Sequence, residues 1–414
     1  SFNSGHPDFL YPYRSSGGIH FDHRKHQQHL GFAASDCGSC HVADSLGRRM
    51  ELKSYDIGCQ GCHEQGSIDH HGDAIRKNPL LILQLPEIDL EDEVYWSTDY
   101  AYAETLTPMM TLLLAGDDAA LPLLEMIYSE GGAAGDLYEW LIETDDNEEP
   151  ELRVEFAEAL KRLVADLSDH TREGAQARTA RLANALGASD QDVYVQRLSK
   201  ELASASFVMQ SFTHRYLPQL VQDLAGENVA RGDDPLYKVS MPVSSSMLGW
   251  RIDSDDASIS YLPVAHADGL LKHWMDALKH YAQGPSPRDA ESSASADTRR
   301  ALRSAIYSEL EGDFKACTKC HVEEYSFIHW RASERSAAPS GFAKFNHSPH
   351  MDMLPDQTNC ASCHVLSTGG ADVGKGSGFR SHRKEHCETC HAPGRADNSC
   401  LTCHEYHGYE MPSN

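Results

Sequence analysis

Residues 21–42 open with Phe21-Asp22-His23-Arg24-Lys25-His26 and close with Cys37-Gly38-Ser39-Cys40-His41-Val42. Late in the chain Phe345-Asn346-His347-Ser348-Pro349-His350 precedes Cys360-Ala361-Ser362-Cys363-His364-Val365. The first histidine and the first cysteine are 14 residues apart in one copy and 13 in the other. Agreement of this quality marks an internal repeat, and its fixed points are histidines and cysteines.

Working outward from the two copies, all 12 cysteines fall into Cys-x-x-Cys pairs, and each pair is followed directly by histidine. The remaining motifs are Cys59 and Cys62 with His63, Cys317 and Cys320 with His321, Cys387 and Cys390 with His391, and Cys400 and Cys403 with His404. Each is a haem c attachment signature. Two thiols at this spacing can form thioethers to the two vinyl groups of one porphyrin, and the adjacent histidine then lies beneath the iron as its proximal ligand. Structural zinc and disulfides also use paired cysteines, but neither explains a histidine at the same offset in every pair. The sequence therefore leads us to expect six covalently bound haem c groups, with His41, His63, His321, His364, His391 and His404 on the irons.

The composition is that of a globular chain, 40% hydrophobic and 24% charged. No apolar run approaches the ~20 residues of a membrane-spanning helix. The longest, Pro79 to Leu85, is far too short. Residues Ser1-Phe2-Asn3-Ser4 have neither a basic start nor an apolar segment, so residue 1 reads as a mature N-terminus. Haem c is attached beyond the cytoplasmic membrane, and a periplasmic or extracellular location is expected. The 36 basic against 62 acidic residues give −26, before any propionates are added. Nucleic acid is excluded as a natural partner, while basic docking surfaces on redox proteins are favoured.

Two motifs lie within residues 37–63 and four within 317–404. The intervals within these groups leave room only for short helices and loops around haem. The expected division is an N-terminal dihaem module over 1–72, a haem-free helical domain over 73–300 and a C-terminal tetrahaem module over 301–414. The expected class is mainly α, with little regular sheet. In the middle, Val154, Phe156, Leu160, Leu163, Val164 and Leu167 recur at helical intervals within 151–186. Similar patterns occupy 118–143, 191–225 and 268–282. Residues 284–295 read as a solvated linker before a final helix over 297–315.

Phe-x-His-x-x-His, then Cys-x-x-Cys-His, then a histidine shortly before a closely paired doublet of motifs resembles the class III cytochromes c, small trihaem and tetrahaem carriers. Residues 341–407 resemble the trihaem form throughout, and residues 19–63 its first two haems. The resemblance implies that His23 faces the Cys37/Cys40 iron and His26 the Cys59/Cys62 iron. It likewise implies His347 for the Cys360/Cys363 iron, His350 for the Cys387/Cys390 iron and His382 for the Cys400/Cys403 iron, with His386 as runner-up. It assigns no distal ligand to the Cys317/Cys320 haem. His329 is the favoured candidate there, ahead of His70, His71, His266 and Met50. His170, His214, His273 and His280 lie on expected helices and read as ordinary histidines.

Irons held by two imidazoles are low-spin, change geometry little on oxidation and are closed to substrates, which suits an electron carrier. Two alternatives stay open. One is a multihaem oxidoreductase in which the Cys317/Cys320 haem is open to a small nitrogen or sulfur compound. The other is a subunit of a polymeric haem wire with ligands donated across subunits, for which His6 and His407 are the residues to watch. Redox proteins, among them a membrane-bound oxidoreductase, are the expected partners.

Overall fold

A computed structural model describes residues 18–30, 36–47, 50–63, 79–86, 89–90, 93–94, 106–129, 150–217, 249–253, 256–283, 294–324, 327–331, 345–353, 360–366, 379–380 and 382–404. The chain divides into two compact units. One comprises residues 1–70, 319–322 and 329–414, and the other residues 71–318 and 323–328. The two terminal segments thus share one unit, which we call the histidine unit, and residues 301–318 belong to the other, the helical unit. The class is mainly α with small sheets. No helix among the described residues is long and apolar enough to cross a membrane.

The histidine unit begins with α1 (His23–Leu30), whose start is set by Asp22: its carboxylate accepts from the amides of Arg24 at 2.9 Å and Lys25 at 3.3 Å. Burial alone would raise the Asp22 carboxyl, but these amides and the neighbouring charges hold it below its ordinary value. The hairpin β1 (His41–Ala43) and β2 (Met50–Leu52) follows, then the single turns α2 (Tyr55–Gly58) and α3 (Gln60–His63).

In the helical unit, β3 (Leu80–Gln84) is followed by the two-residue strands β4 (Asp89–Leu90) and β5 (Glu93–Val94). Next come α4 (Pro108–Leu114), α5 (Leu121–Ser129), α6 (Pro150–Ser168), α7 (Arg172–Leu186), α8 (Val193–Ala203) and α9 (Ser206–Tyr216). The helical pattern over 151–186 is two helices, because Thr171 caps α7 by accepting from the Gly174 amide, and Asp169 accepts from the Thr171 amide at 2.8 Å. Phe156, Leu160, Leu163, Val164 and Leu167 are buried as their spacing requires, whereas Val154 is exposed. Gly187, left-handed at φ 68°, ends α7. The expected helices over 118–143 and 191–225 extend beyond the described residues at 130–143 and 218–225, and so does the linker over 284–293.

Strands β6 (Trp250–Asp253) and β7 (Ser258–Tyr261) join β3 in an antiparallel sheet of order β3-β7-β6. The apolar run at 79–85 therefore serves mostly as an edge strand, and Trp250, Ile259 and Tyr261 supply the aromatic and branched side chains that favour pairing. Helices α10 (Gly269–Gln283) and α11 (Ala294–Thr318) complete the unit, with the short hairpin β8 (Glu323–Glu324) and β9 (Phe327–Ile328). Helix α11 packs on α4 and α10. Its buried side chains Leu302, Ile306, Leu310 and Phe314 fall every four residues, which ties residues 301–318 to the helical core.

The chain then returns to the histidine unit with α12 (His347–Met353), α13 (Lys384–Glu388) and α14 (Cys400–Cys403). At α12 Asn346 takes the part that Asp22 plays at α1, its side-chain oxygen accepting from the Ser348 amide at 3.0 Å. Gly47, at φ 66°, accepts through its carbonyl from the amides of His347 at 2.9 Å and Ser348 at 3.1 Å. A Cβ built on Gly47 would lie 2.5 Å from the Ser348 Cβ. Glycine is needed there on both counts.

Candidate metal-binding histidine pairs

Four of the Cys-x-x-Cys-His motifs fold as helical turns: the amides of His63, His364, His391 and His404 return to the carbonyls of Cys59, Cys360, Cys387 and Cys400, at 3.0, 2.8, 2.8 and 2.9 Å. A helical turn places positions i, i+3 and i+4 on one side, so both thiols and the imidazole of each of these four address the same space. In the other two, His41 begins strand β1 and His321 bridges Ile19. Among the described residues the cysteines form no disulfide.

In every motif one cysteine is half-buried and the other more open. Cys62 and Cys390 belong to the open kind, although the sequence assigns both to a cofactor. The amide of Cys62 donates to the Cys59 carbonyl at 3.1 Å, and that of Cys390 to the Cys387 carbonyl at 3.2 Å, which holds each in its turn. Burial pushes the thiols of Cys40, Cys59, Cys320, Cys363 and Cys387 up, which favours neutral sulfur over the thiolate a zinc site uses.

Four motif histidines face a second imidazole. The ring centres of His23 and His41 are 6.3 Å apart, those of His26 and His63 6.2 Å, those of His347 and His364 6.2 Å and those of His350 and His391 6.1 Å. Metal–imidazole bonds of about 2.0–2.1 Å on either side of one metal, with about 1.1 Å from each nitrogen to its ring centre, put two such centres roughly 6.2 Å apart. The interplanar angles repeat as well. They are 11° and 13° for the His23/His41 and His347/His364 pairs, and 54° and 46° for the His26/His63 and His350/His391 pairs.

The repeat explains the coincidence. His23 and His26, like His347 and His350, lie three residues apart just inside a capped helix start, so one short helix serves two pairs. The His26 Nδ1 donates to the Asp22 carbonyl at 2.9 Å, and the His350 Nδ1 to the Asn346 carbonyl at 2.8 Å. With Nδ1 so engaged, Nε2 is the ligating nitrogen. Phe21 stacks on His26 at 4.1 Å and meets His23 edge-on at 4.7 Å. Phe345 does the same to His350 at 4.7 Å and His347 at 4.9 Å.

At His63 and His364 burial favours neutral imidazole, the form that binds metal. His63 is lowered by burial and by the charge of His26. His364 is pushed down to about 4 by burial, with added repulsion from His382, His347, His41 and His23. Among the described residues no group of three or more His, Cys, Asp or Glu is arranged to hold a metal ion. Two facing imidazoles supply two donors, a set that fits a group bringing its remaining donors with it. No family model, curated protein or solved structure matches this chain.

The other sequence candidates are placed as follows. His382 meets the His364 ring edge-on at 4.9 Å, and its pKa is lowered by burial and by the charges of His386 and His347. His321 is buried, its ring 5.1 Å from that of Trp330, and its Nδ1 donates to the His329 carbonyl at 2.9 Å. That contact puts the His329 backbone on the Nδ1 edge of His321, opposite Nε2. The contact is made by the His329 carbonyl and not by its ring. Met50 ends the β1–β2 ladder opposite Ala43. His266 is exposed on the helical unit. His6, His70, His71 and His407 lie outside the described residues. In the helical unit His273 pairs with Glu201 at 3.2 Å, His170 with Gln210 at 2.7 Å, and His280 stacks on Tyr194.

Sequence reasoning missed three contributors. Asp397 accepts from His391 Nδ1 through its carbonyl at 2.5 Å, Gly47 docks the hairpin on α12, and Phe379 lies against His23. Only the caps Asp22 and Asn346 had a signal, as polar residues directly before the first histidine of each copy.

Proposed function

We propose that this chain is a hexahaem c-type cytochrome that passes electrons between redox partners in the periplasm or outside the cell. The observation that carries the proposal is the fourfold recurrence of facing imidazoles 6.1–6.3 Å apart, each pair containing the histidine of a Cys-x-x-Cys-His motif. Haem c, when bound, supplies an iron that cycles between ferric and ferrous states. The residues of the chain hold it. The motif cysteines would attach it, the motif histidines and the paired histidines would hold its iron, and the carbonyls of Asp22, Asn346, His329 and Asp397 orient imidazoles through Nδ1. At the four paired sites two imidazoles per iron would leave no position for a substrate, which favours carriage over catalysis.

Class III-type ligation is the corresponding reading for His23, His26, His347 and His350, and His382 remains the proposed partner of His404. The net charge of −26 favours partners with basic docking surfaces, including a membrane-bound oxidoreductase. The intact mass of the denatured chain tests the cofactor directly. The proposal requires the polypeptide mass plus six haem groups that survive denaturation. A chain of bare polypeptide mass, with thiols open to alkylation, would contradict it.

A further inference from the structure

Contacts within the histidine unit join five of the motifs end to end. At the middle, Phe379 lies 4.8 Å from His23, an imidazole of the Cys37/Cys40 pair, and 5.7 Å from His364, an imidazole of the Cys360/Cys363 pair. Phe379 is fixed there by its bridge to Leu366 and by the Arg380 amide, which donates to the Val365 carbonyl at 2.8 Å. The Gly47 carbonyl, receiving the amides of His347 and Ser348, closes the same junction.

On the N-terminal side the Cys40 thiol donates to the Gly58 carbonyl at 3.7 Å, directly before Cys59, and α1 serves both motifs through His23 and His26. The segment before α1 also meets the end of a further motif: the His20 amide donates to the Cys320 carbonyl at 2.7 Å, and Ile19 bridges His321.

On the C-terminal side α12 serves the Cys360/Cys363 and Cys387/Cys390 motifs through His347 and His350. Asp397 ties the latter to the last motif. Its carbonyl receives His391 Nδ1, and its carboxylate accepts from Thr402 Oγ1 at 2.7 Å and the Ser399 amide at 3.0 Å.

We propose that five of the attachment sites form one unbranched row in the order Cys59/Cys62, Cys37/Cys40, Cys360/Cys363, Cys387/Cys390, Cys400/Cys403, with Phe379 at the joint between its halves. The order rests on the haem reading given above. It differs from the order in sequence, because the second motif along the chain stands at one end. The repeat explains the shape: each copy builds a half-row, and the two copies meet through their first motifs. The row gives the carrier two termini, the Cys59/Cys62 and Cys400/Cys403 sites, at which donor and acceptor can dock separately.

The test uses the full-length chain carrying His23→Met, which leaves five sites with their own ligands and marks the Cys37/Cys40 iron by a raised midpoint potential. Redox titration followed by electron paramagnetic resonance reads the other sites, each assigned through the matching His26→Met and His347→Met variants. A charge on one iron shifts the midpoint of its nearest neighbours most, since screening weakens more distant pairs. The row requires the largest shifts at both the His26/His63 and the His347/His364 sites. A shift at the first alone overturns it.

Phe379→Leu provides a second reading that removes no ligand. It should alter the signals of the His23/His41 and His347/His364 irons together and leave the remaining ones unchanged. Change at neither, or at only one, overturns the joint. Absence of the six groups by mass overturns both the row and the function, whereas six groups with the wrong neighbours overturn the row alone.

Discussion

The two units of this protein solve the problem of burial in opposite ways. Every buried hydrophobic side chain among the described residues, from Ile82 to Ile328, belongs to the helical unit. There Trp250, Trp274, Phe156 and Phe212 lie under 2% exposed, and each large apolar side chain so buried contributes about 1.5–3 kcal/mol. In the histidine unit Leu46, Leu52, Ile57 and Leu401 flank the motifs, and the polypeptide leaves them exposed at 63, 44, 70 and 64%. What that unit brings together instead is imidazole against imidazole and thiol near thiol. One unit is held by its own side chains. The other, on the proposed reading, would be held by the haem bonded to it.

The largest effect expected from this contrast appears when haem attachment is prevented, for example in a chain with the motif cysteines replaced by alanine. The helical unit should keep its helical circular dichroism and resist limited proteolysis, while the histidine unit should lose all protection. Equal protection of both units would break the comparison. An intermediate effect is expected from Leu163→Ala in the core of α6, which should cost about 2–5 kcal/mol of the helical unit's stability. Chemical denaturation followed by tryptophan fluorescence reads it, and the haem absorption bands should not move. The smallest comes from Gly47→Ala, where a left-handed residue gains a Cβ at about 1–2 kcal/mol. It should lower the unfolding midpoint of the histidine unit alone, and a shift in the helical unit's transition would blur the division.

How far the sequence reached follows the same line. The spacing of Phe156, Leu160, Leu163 and Leu167 announces one buried face of α6, because a self-contained core writes its geometry into apolar periodicity. The pairing of His23 with His41 and of His347 with His364 was legible from a repeated motif and a family resemblance, since each motif and its capped helix are local. Two kinds of contact were not legible. The link of Gly47 to His347 and that of Phe379 to His23 join distant segments and leave no periodic trace in either. The role of the His329 carbonyl was hidden because a backbone group, and not the ring that drew attention, meets His321. The openness of Cys62 and Cys390 was hidden too, since the motif fixes their spacing and not what covers them. Membership of residues 301–318 in the helical unit was masked by the motif that ends the same helix.

The most direct test of the account is low-temperature electron paramagnetic resonance of the fully oxidised protein. Near-parallel imidazoles split the iron orbitals strongly and give a rhombic low-spin signal, whereas crossed planes bring those orbitals together and raise the largest g value. With interplanar angles of 11° and 13° against 54° and 46°, the His23/His41 and His347/His364 irons should give the rhombic signal, and the His26/His63 and His350/His391 irons the signal with the larger g. A spectrum dominated by high-spin iron, or one with no haem signal at all, would contradict the claim that these imidazoles face each other across a metal.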